Sequence, residues 1–453
     1  MIAEKKKRNQ ILGVLFLGVL MGALDIAIVG PALPAIQEGF GIDSRASAWI
    51  FTIFVLFNLI GSPLMGKLSD RFGRRYIYVM DISLFALGSL LVALAPSFWL
   101  LLAGRAIQGF GAGGIFPVAA AVIADTFPIE DRGKALGITG AVFGIAFLLG
   151  PILAGVILKF GNWHWLFYIN LPIAVYLVFQ ALRLLPTDKP DDVRPFDIFG
   201  VVSLSIMLAS LTLGLNAIDS SNLLSSLASQ KVWPYLIVAI VFLMIFWTLE
   251  NRAADPVLRP GLLGSSQVKL AAIFSIGAGL IEAAMVFIPA LAIALFHVEK
   301  STASFMLLPL IFTLAFGAPT AGRMLDRFGP RPVIFMGLLL LTIGLLLFGF
   351  TASNIIMFYV SGAFVGFGLS SLLGAPLRYV MLAEAATDER AASQGLLTIF
   401  TSSGQLVGGA LIGAIAASSL VPATGYQKAI LVLGIITAIL LPLSLGLKAK
   451  EKH

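Results

Sequence analysis

The sequence predicts an all-α polytopic membrane protein of two pseudo-symmetric six-helix bundles plus two additional central helices. Three observations carry that expectation. Of 453 residues, 59% are hydrophobic and only 12% charged, whereas soluble domains run about 45–50% apolar and about 25% charged. Apolar runs of about 20 residues, enough for a helix to cross roughly 30 Å of hydrocarbon, recur from end to end. A charged decapeptide, GKLSDRFGRR at 66–75, returns as GRMLDRFGPR at 322–331, an offset of 256 residues. Helices are the economical reading of the apolar runs, because lipid offers no partners to exposed backbone groups.

Fourteen segments follow in order. The first, 11–32, comes after the basic run KKKR. Its apolar stretch exceeds a signal-peptide core and no small-residue cleavage site follows, so it reads as a retained span. Segments 47–68 and 76–95 flank the decapeptide. Segment 98–122 contains RAIQGFGAGG and segment 135–158 contains AFLLGPILAG, whose small residues permit close helix contact. Segment 163–185 is entered through WHWLFYINLPIA. Next come 198–218 and 232–249, flanked by PTDKPDDVRPF and ENRAADPVLRPG; proline and charge suit linkers.

The second half repeats the order of the first. Segments 269–295 and 302–321 precede the second decapeptide, and 332–350, 356–377, 392–418 and 427–447 follow it. DERAASQGL at 388–396 echoes EDRGKALGI at 130–138, an offset of 258, and each precedes the fifth span of its half. The expected organisation is therefore a bundle at 1–186, an accessory helix pair at 187–250 and a second bundle at 251–453, a parallel repeat of a kind transporters use. An even number of inserted spans keeps both halves in the same orientation.

Lysine and arginine set that orientation. With both termini cytoplasmic, the inner loops and tails hold 24 of the 30 basic residues, the outer loops hold Arg45, Lys159, Lys231, Lys300 and Lys428, and Arg105 lies within a span. This bias is the positive-inside pattern. It accounts for the net charge of +7 better than a nucleic-acid surface does, because the basic residues are spread over many short loops. The absence of cysteine excludes disulfides and thiolate metal sites.

GKLSDRFGRR resembles the signature between helices 2 and 3 of the major facilitator superfamily. LDIAIVGPALPAI in the first span resembles the signature of its drug:proton antiporters with fourteen spans, the multidrug efflux branch. RAIQGFGAGG and WHWLFYINLPIA fit the same branch. The antiporter motif of helix 5 is matched by AFLLGPILAG through Ala146, Gly150, Pro151 and Gly155, with Ala146 and Ala154 standing where the pattern has glycine. The resemblance covers essentially the whole chain. It implies the major-facilitator fold and alternating-access export of lipophilic or cationic drug-like compounds in antiport with protons, by a multi-pass protein of the cell membrane working as a monomer. Fourteen-span relatives also include lipid exporters, so a lipid or glycolipid exporter or flippase is the alternative. Uptake of a small metabolite fits less well, since polar residues are sparse along the spans.

Ionisable residues deep in a span carry the most weight, because an unpaired charge in hydrocarbon costs several kcal/mol. Asp25, Arg105 and Glu282 each fall roughly 20 Å from the cytoplasmic side by helical rise and are expected to face one cavity. Asp25 and Glu282 are 257 residues apart, inside the window of the repeat. Burial and a neighbouring guanidinium push a carboxyl in opposite directions, as a proton carrier requires. Asp25 is thus the candidate coupling site, Arg105 its tuner, and Glu282 a second proton site or an attractor of cationic substrate. A permanent Asp25–Arg105 pair that only joins spans 1 and 4 is the competing reading. Gln108, Asn170 and Gln405 are candidate cavity donors or interhelical links. Asp81 and Asp125 are expected to be solvated or paired with loops.

By the same resemblance the decapeptides form a cytoplasmic latch of Gly66, Asp70, Arg71, Gly73, Arg74 and Arg75, mirrored by Gly322, Asp326, Arg327 and Gly329. Gly66 would allow close packing. Asp70 would accept from backbone donors at the start of span 13, near 391–394, and Asp326 would do so at span 5.

Other classes fit poorly. GSPLMGKL lacks the Ser or Thr of a phosphate-binding loop and ends a membrane helix. GFGAGG has no preceding strand. His164, His297 and His453 make no metal spacing. No enzyme activity, cofactor or metal is expected; the expected partners are a lipophilic small molecule or lipid, protons and the bilayer.

Overall fold

The computed structural model describes residues 2–187, 197–253, 256, 260–385 and 390–449. Among them all regular structure is helical. The helices are α1 (Ile2–Phe40), α2 (Ser44–Phe72), α3 (Arg74–Ala93), α4 (Phe98–Thr126), α5 (Ile129–Phe160) and α6 (Trp165–Leu184). Then come α7 (Ile198–Asn216) and α8 (Trp233–Glu250). The remainder are α9 (Ser266–Met285, continued by Ile288–Phe296), α10 (Lys300–Phe328), α11 (Pro330–Thr351), α12 (Ile355–Glu384), α13 (Arg390–Ala417) and α14 (Pro422–Leu443).

Each of the fourteen apolar segments forms a helix, and thirteen of these are long and apolar enough to cross a membrane among the described residues. The apolar part of α5 described in full, Gly144–Phe160, is shorter. Polar residues mark where the helices begin. Asp43 accepts from Ala46 N at 2.8 Å to start α2, Asp197 from Gly200 N at 2.8 Å to start α7, and Asn354 from Ile356 N at 2.9 Å to start α12. Such caps satisfy donors that a helix start cannot pair internally. Proline opens α11 and α14, where its missing N–H costs nothing.

Contacts follow two similar patterns. α4 packs on α2 and α3, and α1 on α5; α12 packs on α10 and α11, and α9 on α13. Glycines make the closeness possible. A Cβ on Gly109 of α4 would meet the Phe54 Cα at 3.0 Å, and one on Gly113 would meet Ser62 N at 2.8 Å. On the other side a Cβ on Gly404 would meet the Ile276 Cα at 3.0 Å. Backbones in such contact are joined by van der Waals packing, which must replace the hydrophobic drive that lipid does not supply.

The two sets of helices touch each other at the end of the bundle opposite the chain termini. There a Cβ on Gly30 would meet Val286 Cα at 3.0 Å, Gly413 faces Ala48, and Gly155 faces the Phe305 ring. Ser44 Oγ and Tyr426 Oη are 3.0 Å apart, and Lys300 Nζ is 2.5 Å from Glu38. The bundle is closed at that end. The helix pair α7–α8 packs against one flank, α7 touching both α2 and α13.

Two positive-φ glycines shape the turns after α2 and α10. Gly73 (φ 100°) and Gly329 (φ 82°) end one helix and begin the next, donating to Ser69 O at 3.1 Å and Leu325 O at 2.8 Å. A side chain is disfavoured in that conformation, which accounts for the repeat of these two glycines. Gly66 and Gly322 differ from expectation: a Cβ on Gly66 would meet nothing nearer than Pro117 at 4.0 Å, and one on Gly322 would meet nothing within 4 Å. In this conformation neither is a close-packing site.

Replacing Gly109 by Leu forces a side chain into the α2 backbone, where overpacking costs about 1–3 kcal/mol or more. Gly109→Leu is expected to lose most folded protein in fluorescence-detected size exclusion, while Gly144→Leu, whose Cβ position is open, retains it.

Candidate transport site

Arg105 enters the core from the second turn of α4 and is fully buried. Its Nη1 donates to Asp25 Oδ2 of α1 at 2.5 Å and to Gln108 Oε1 at 2.6 Å, and its Nε donates to the Ile50 carbonyl of α2 at 3.1 Å. The guanidinium lies over the Phe54 ring, 4.2 Å from its centroid, a favourable cation–π placement. Asp25 Oδ1 accepts from Gln108 Nε2 at 2.7 Å and from Asn170 Nδ2 of α6 at 3.3 Å. Both amides also reach Ser89 Oγ of α3, at 2.8 and 3.2 Å. One network therefore joins α1, α2, α3, α4 and α6. Asp25, Ser89, Arg105 and Gln108 are wholly inaccessible, and Asn170 is nearly so.

Glu282 sits elsewhere. It lines a narrow cavity between the two sets of helices, with Ala27 and Pro31 of α1, Phe51 of α2, Phe147 and Pro151 of α5, Ile311 of α10 and Gln405 of α13. Among the lining residues Glu282 alone is charged and Gln405 alone carries a polar side chain. The Gln405 side chain lines the cavity with it. The expectation that Asp25, Arg105 and Glu282 face one cavity is thus corrected. Helical rise put them at similar depth, but α4 turns Arg105 into the interior of its own bundle, and Asp25 follows to neutralise it. Arg105 has no counterpart in the second bundle: the repeat offset of 256–258 takes it to Ser361, Gly362 or Ala363. Glu282 consequently has no guanidinium held against it in the way Asp25 has.

Asp81 departs from expectation too. It is completely buried in α3 against Gly114 of α4, and neither carboxylate oxygen has a hydrogen-bond partner among the described residues. Its place two turns inside the helix was the available signal. Ser89 gave none, being an ordinary serine in an apolar span. Asp125 pairs with Arg74 Nε at 2.9 Å.

The decapeptides have a partly matching geometry. Arg74 ties the ends of α2, α3 and α4 through Asp70, Ser69 Oγ at 2.7 Å and Asp125, and Arg75 Nε donates to the Leu185 carbonyl at 2.7 Å. Arg71 lies over Phe72 at 5.6 Å, as Arg327 lies over Phe328 at 5.1 Å. Asp326 has an interaction of its own. Asp70 is paired with Arg74 here; of its expected target, the side chains of 391–392 in α13 lie outside those described, as do most side chains of 129–143 in α5. In the helix 5 motif, Gly150 meets Ala27 of α1, Ala146 is fully buried, Pro151 lines the cavity and Gly155 faces Phe305. Alanine at 146 is accommodated there without exposure.

The sequence profile of the Major Facilitator Superfamily matches residues 15–292 and 270–453. The chain belongs to the Major Facilitator Superfamily. It is therefore a multi-pass transporter of the cell membrane, in a family of transporters and not of enzymes. It is 34% identical to the MFS-type transporter YfiU of Bacillus subtilis over 88% of this chain and 78% of that protein. It is 31% identical to Multidrug resistance protein 3 of Bacillus subtilis, covering 80% and 72%. It is 30% identical to a triacylglyceride transporter of Mycobacteroides abscessus, covering 90% and 82%. In fold it resembles the nucleoside transporter NupG, with a TM-score of 0.67 at 14% identity over 97% of this chain and 98% of that one. A bacterial homologue of the human lysosomal transporter Spinster, in an inward-facing and occupied conformation, also scores 0.67, at 17% identity over 97% and 96%.

Removing one partner of a buried ion pair strands the other, at a cost of about 3–5 kcal/mol. Arg105→Met is expected to lower the thermal unfolding midpoint of the transporter in detergent more than the double variant Asp25→Asn/Arg105→Met does. Additive losses in that double-mutant cycle would mean the two charges are not coupled.

Proposed function

We propose that this transporter exports lipophilic or cationic drug-like compounds in exchange for protons. The observation that carries the reading is the solitary carboxylate of Glu282 in a cavity whose lining is apolar except for it and Gln405. The apolar walls suit a hydrophobic body, and the carboxylate suits either a proton or a cation. Because one carboxylate does not hold both at once, occupancy by proton and by cation compete, and competition at one site is the simplest form of coupling. Asp25 is the second candidate proton site, accessible only in a conformation that parts it from Arg105; in the present one the pair acts as a clamp on five helices.

Fourteen spans with cytoplasmic termini complete the proposal, supported by the distribution of Lys and Arg. So does the division into bundles at 1–186 and 251–453 with an accessory pair at 187–250, supported by the matching contacts of α1–α5 and α9–α13. Closure opposite the termini then corresponds to an inward-facing state. Asp70, which here holds Arg74, would exchange that partner for the start of α13 when the cytoplasmic side shuts. The similarity to a protein named a triacylglyceride transporter and the apolar lining together favour one second reading, export of a lipid.

In proteoliposomes, wild type is expected to move a cationic dye faster when a pH gradient is imposed. Glu282→Gln should cut that stimulation by about tenfold, or about 1.4 kcal/mol, while leaving folded yield intact. Movement of a fluorescent lipid but not of the dye would favour the second reading, and dye movement indifferent to the gradient would sink antiport. Asp70→Asn is expected to slow transport several-fold at unchanged membrane insertion, measured by dye uptake against surface-accessible protein; normal transport would remove it from the latch.

A further inference from the structure

The cavity has two flanks, and they are not alike. One is the seam between α5 and α10, the other the seam between α2 and α13. The repeat relates them: with offsets of 256 and 258, Trp49, Leu56 and Ile60 of α2 correspond to Phe305, Phe312 and Phe316 of α10, and Gly155 of α5 to Gly413 of α13. Positions spaced by seven and eleven residues share one helix face. That face of α10 starts in contact, since a Cβ on Gly155 would lie 2.7 Å from the Phe305 ring. Farther along it opens: Phe312 is 42% exposed and Phe316 69%. Across the seam, Gly144 lies on the same face of α5 as Gly155, and a Cβ there would meet nothing within 4 Å. Phe147 and Pro151 of α5 and Leu307 and Ile311 of α10 line the cavity just inside.

At the matching positions the other seam is covered. Leu56 is only 6% exposed, and Ile60 is partly buried against the core. The difference is α7, which packs on both α2 and α13. Trp49 donates to Asn216 Oδ1 of α7 at 3.1 Å, Arg45 Nη2 to the Ile218 carbonyl at 3.0 Å, and Ser220 N to Ser418 Oγ at 3.0 Å. Leu204 and Leu208 of α7 belong to the main hydrophobic core.

We infer that the α5–α10 seam is a lateral door through which a lipophilic substrate passes between the bilayer and the Glu282 cavity, and that α7 bars the equivalent passage on the other flank. The inference rests on the lipophilic-substrate reading above. It gives the accessory pair a function: it turns a protein with two equivalent flanks into one with a single lipid-facing entrance. An aromatic stripe that widens toward the termini suits a hydrophobic molecule already dissolved in one leaflet, because it needs no transfer through water.

The chain has no cysteine, so single cysteines report cleanly. Gly144→Cys, Phe316→Cys, Ile60→Cys and the α8 lipid-face control Ile237→Cys would be treated, after reconstitution, with a bulky membrane-soluble maleimide; labelling the folded protein leaves folding out of the outcome. Phe316→Cys is expected to react quickly and Ile60→Cys slowly. Labelling at 144 or 316 is expected to slow uptake of a membrane-loaded cationic dye by about fivefold or more, with little change at 237. Equal reactivity at 60 and 316, or undiminished uptake after full labelling at 144 and 316, overturns the door while leaving the export reading standing. Wild-type vesicles that move neither the dye nor a fluorescent lipid overturn both.

Discussion

Arg105 and Asp25 cannot separate without leaving a charge in a region with nothing to receive it. That constraint gathers the first half of the transporter around one point. Gln108, Asn170 and Ser89 extend the network, leaving Arg105 Nη2 without a hydrogen-bond partner among the described residues, so residues from four helices and a backbone carbonyl from a fifth converge within a few ångströms. The close backbone contacts at Gly109 and Gly113 of α4 follow, since α4 must lie against α2 for Arg105 to reach the Ile50 carbonyl. A bundle tied in this way is expected to move as a body.

The other half is built without that tie. Its acidic residue at the corresponding depth, Glu282, faces the cavity with Gln405 beside it. In this conformation one carboxylate is thus sealed against a guanidinium while its counterpart lines the cavity. The difference in surroundings goes with a single arginine: at the repeat offset α12 carries small residues where α4 carries Arg105. The accessory pair adds a second asymmetry, covering one seam and leaving its counterpart bare, so both departures from the repeat bear on how a substrate reaches Glu282.

Much of this was legible in the sequence, for local reasons. Apolar length located the helices, and the repeated decapeptide suggested the register of the two halves. The depth of Asp25, Arg105 and Glu282 followed from helical rise. Their facing did not. Rise per residue fixes height along a helix, while the direction a side chain takes depends on which neighbours are packed around it, and those come from distant parts of the chain. Asp81 shows the same limit: read as solvated from its nearness to a helix end, it is sealed against Gly114.

The sequence by itself determined that this protein spans a membrane repeatedly and which few charges fall within its apolar segments, and it raised the expectation of two repeated halves, because composition, periodicity and charge are properties of short stretches. Only the tertiary structure decided that Asp25 is locked to Arg105, that Glu282 alone brings charge to the cavity, that Gly66 is not a packing site in this conformation, and that α7 covers one seam of two. Burial and exposure are relations between helices, and no short stretch of chain contains them.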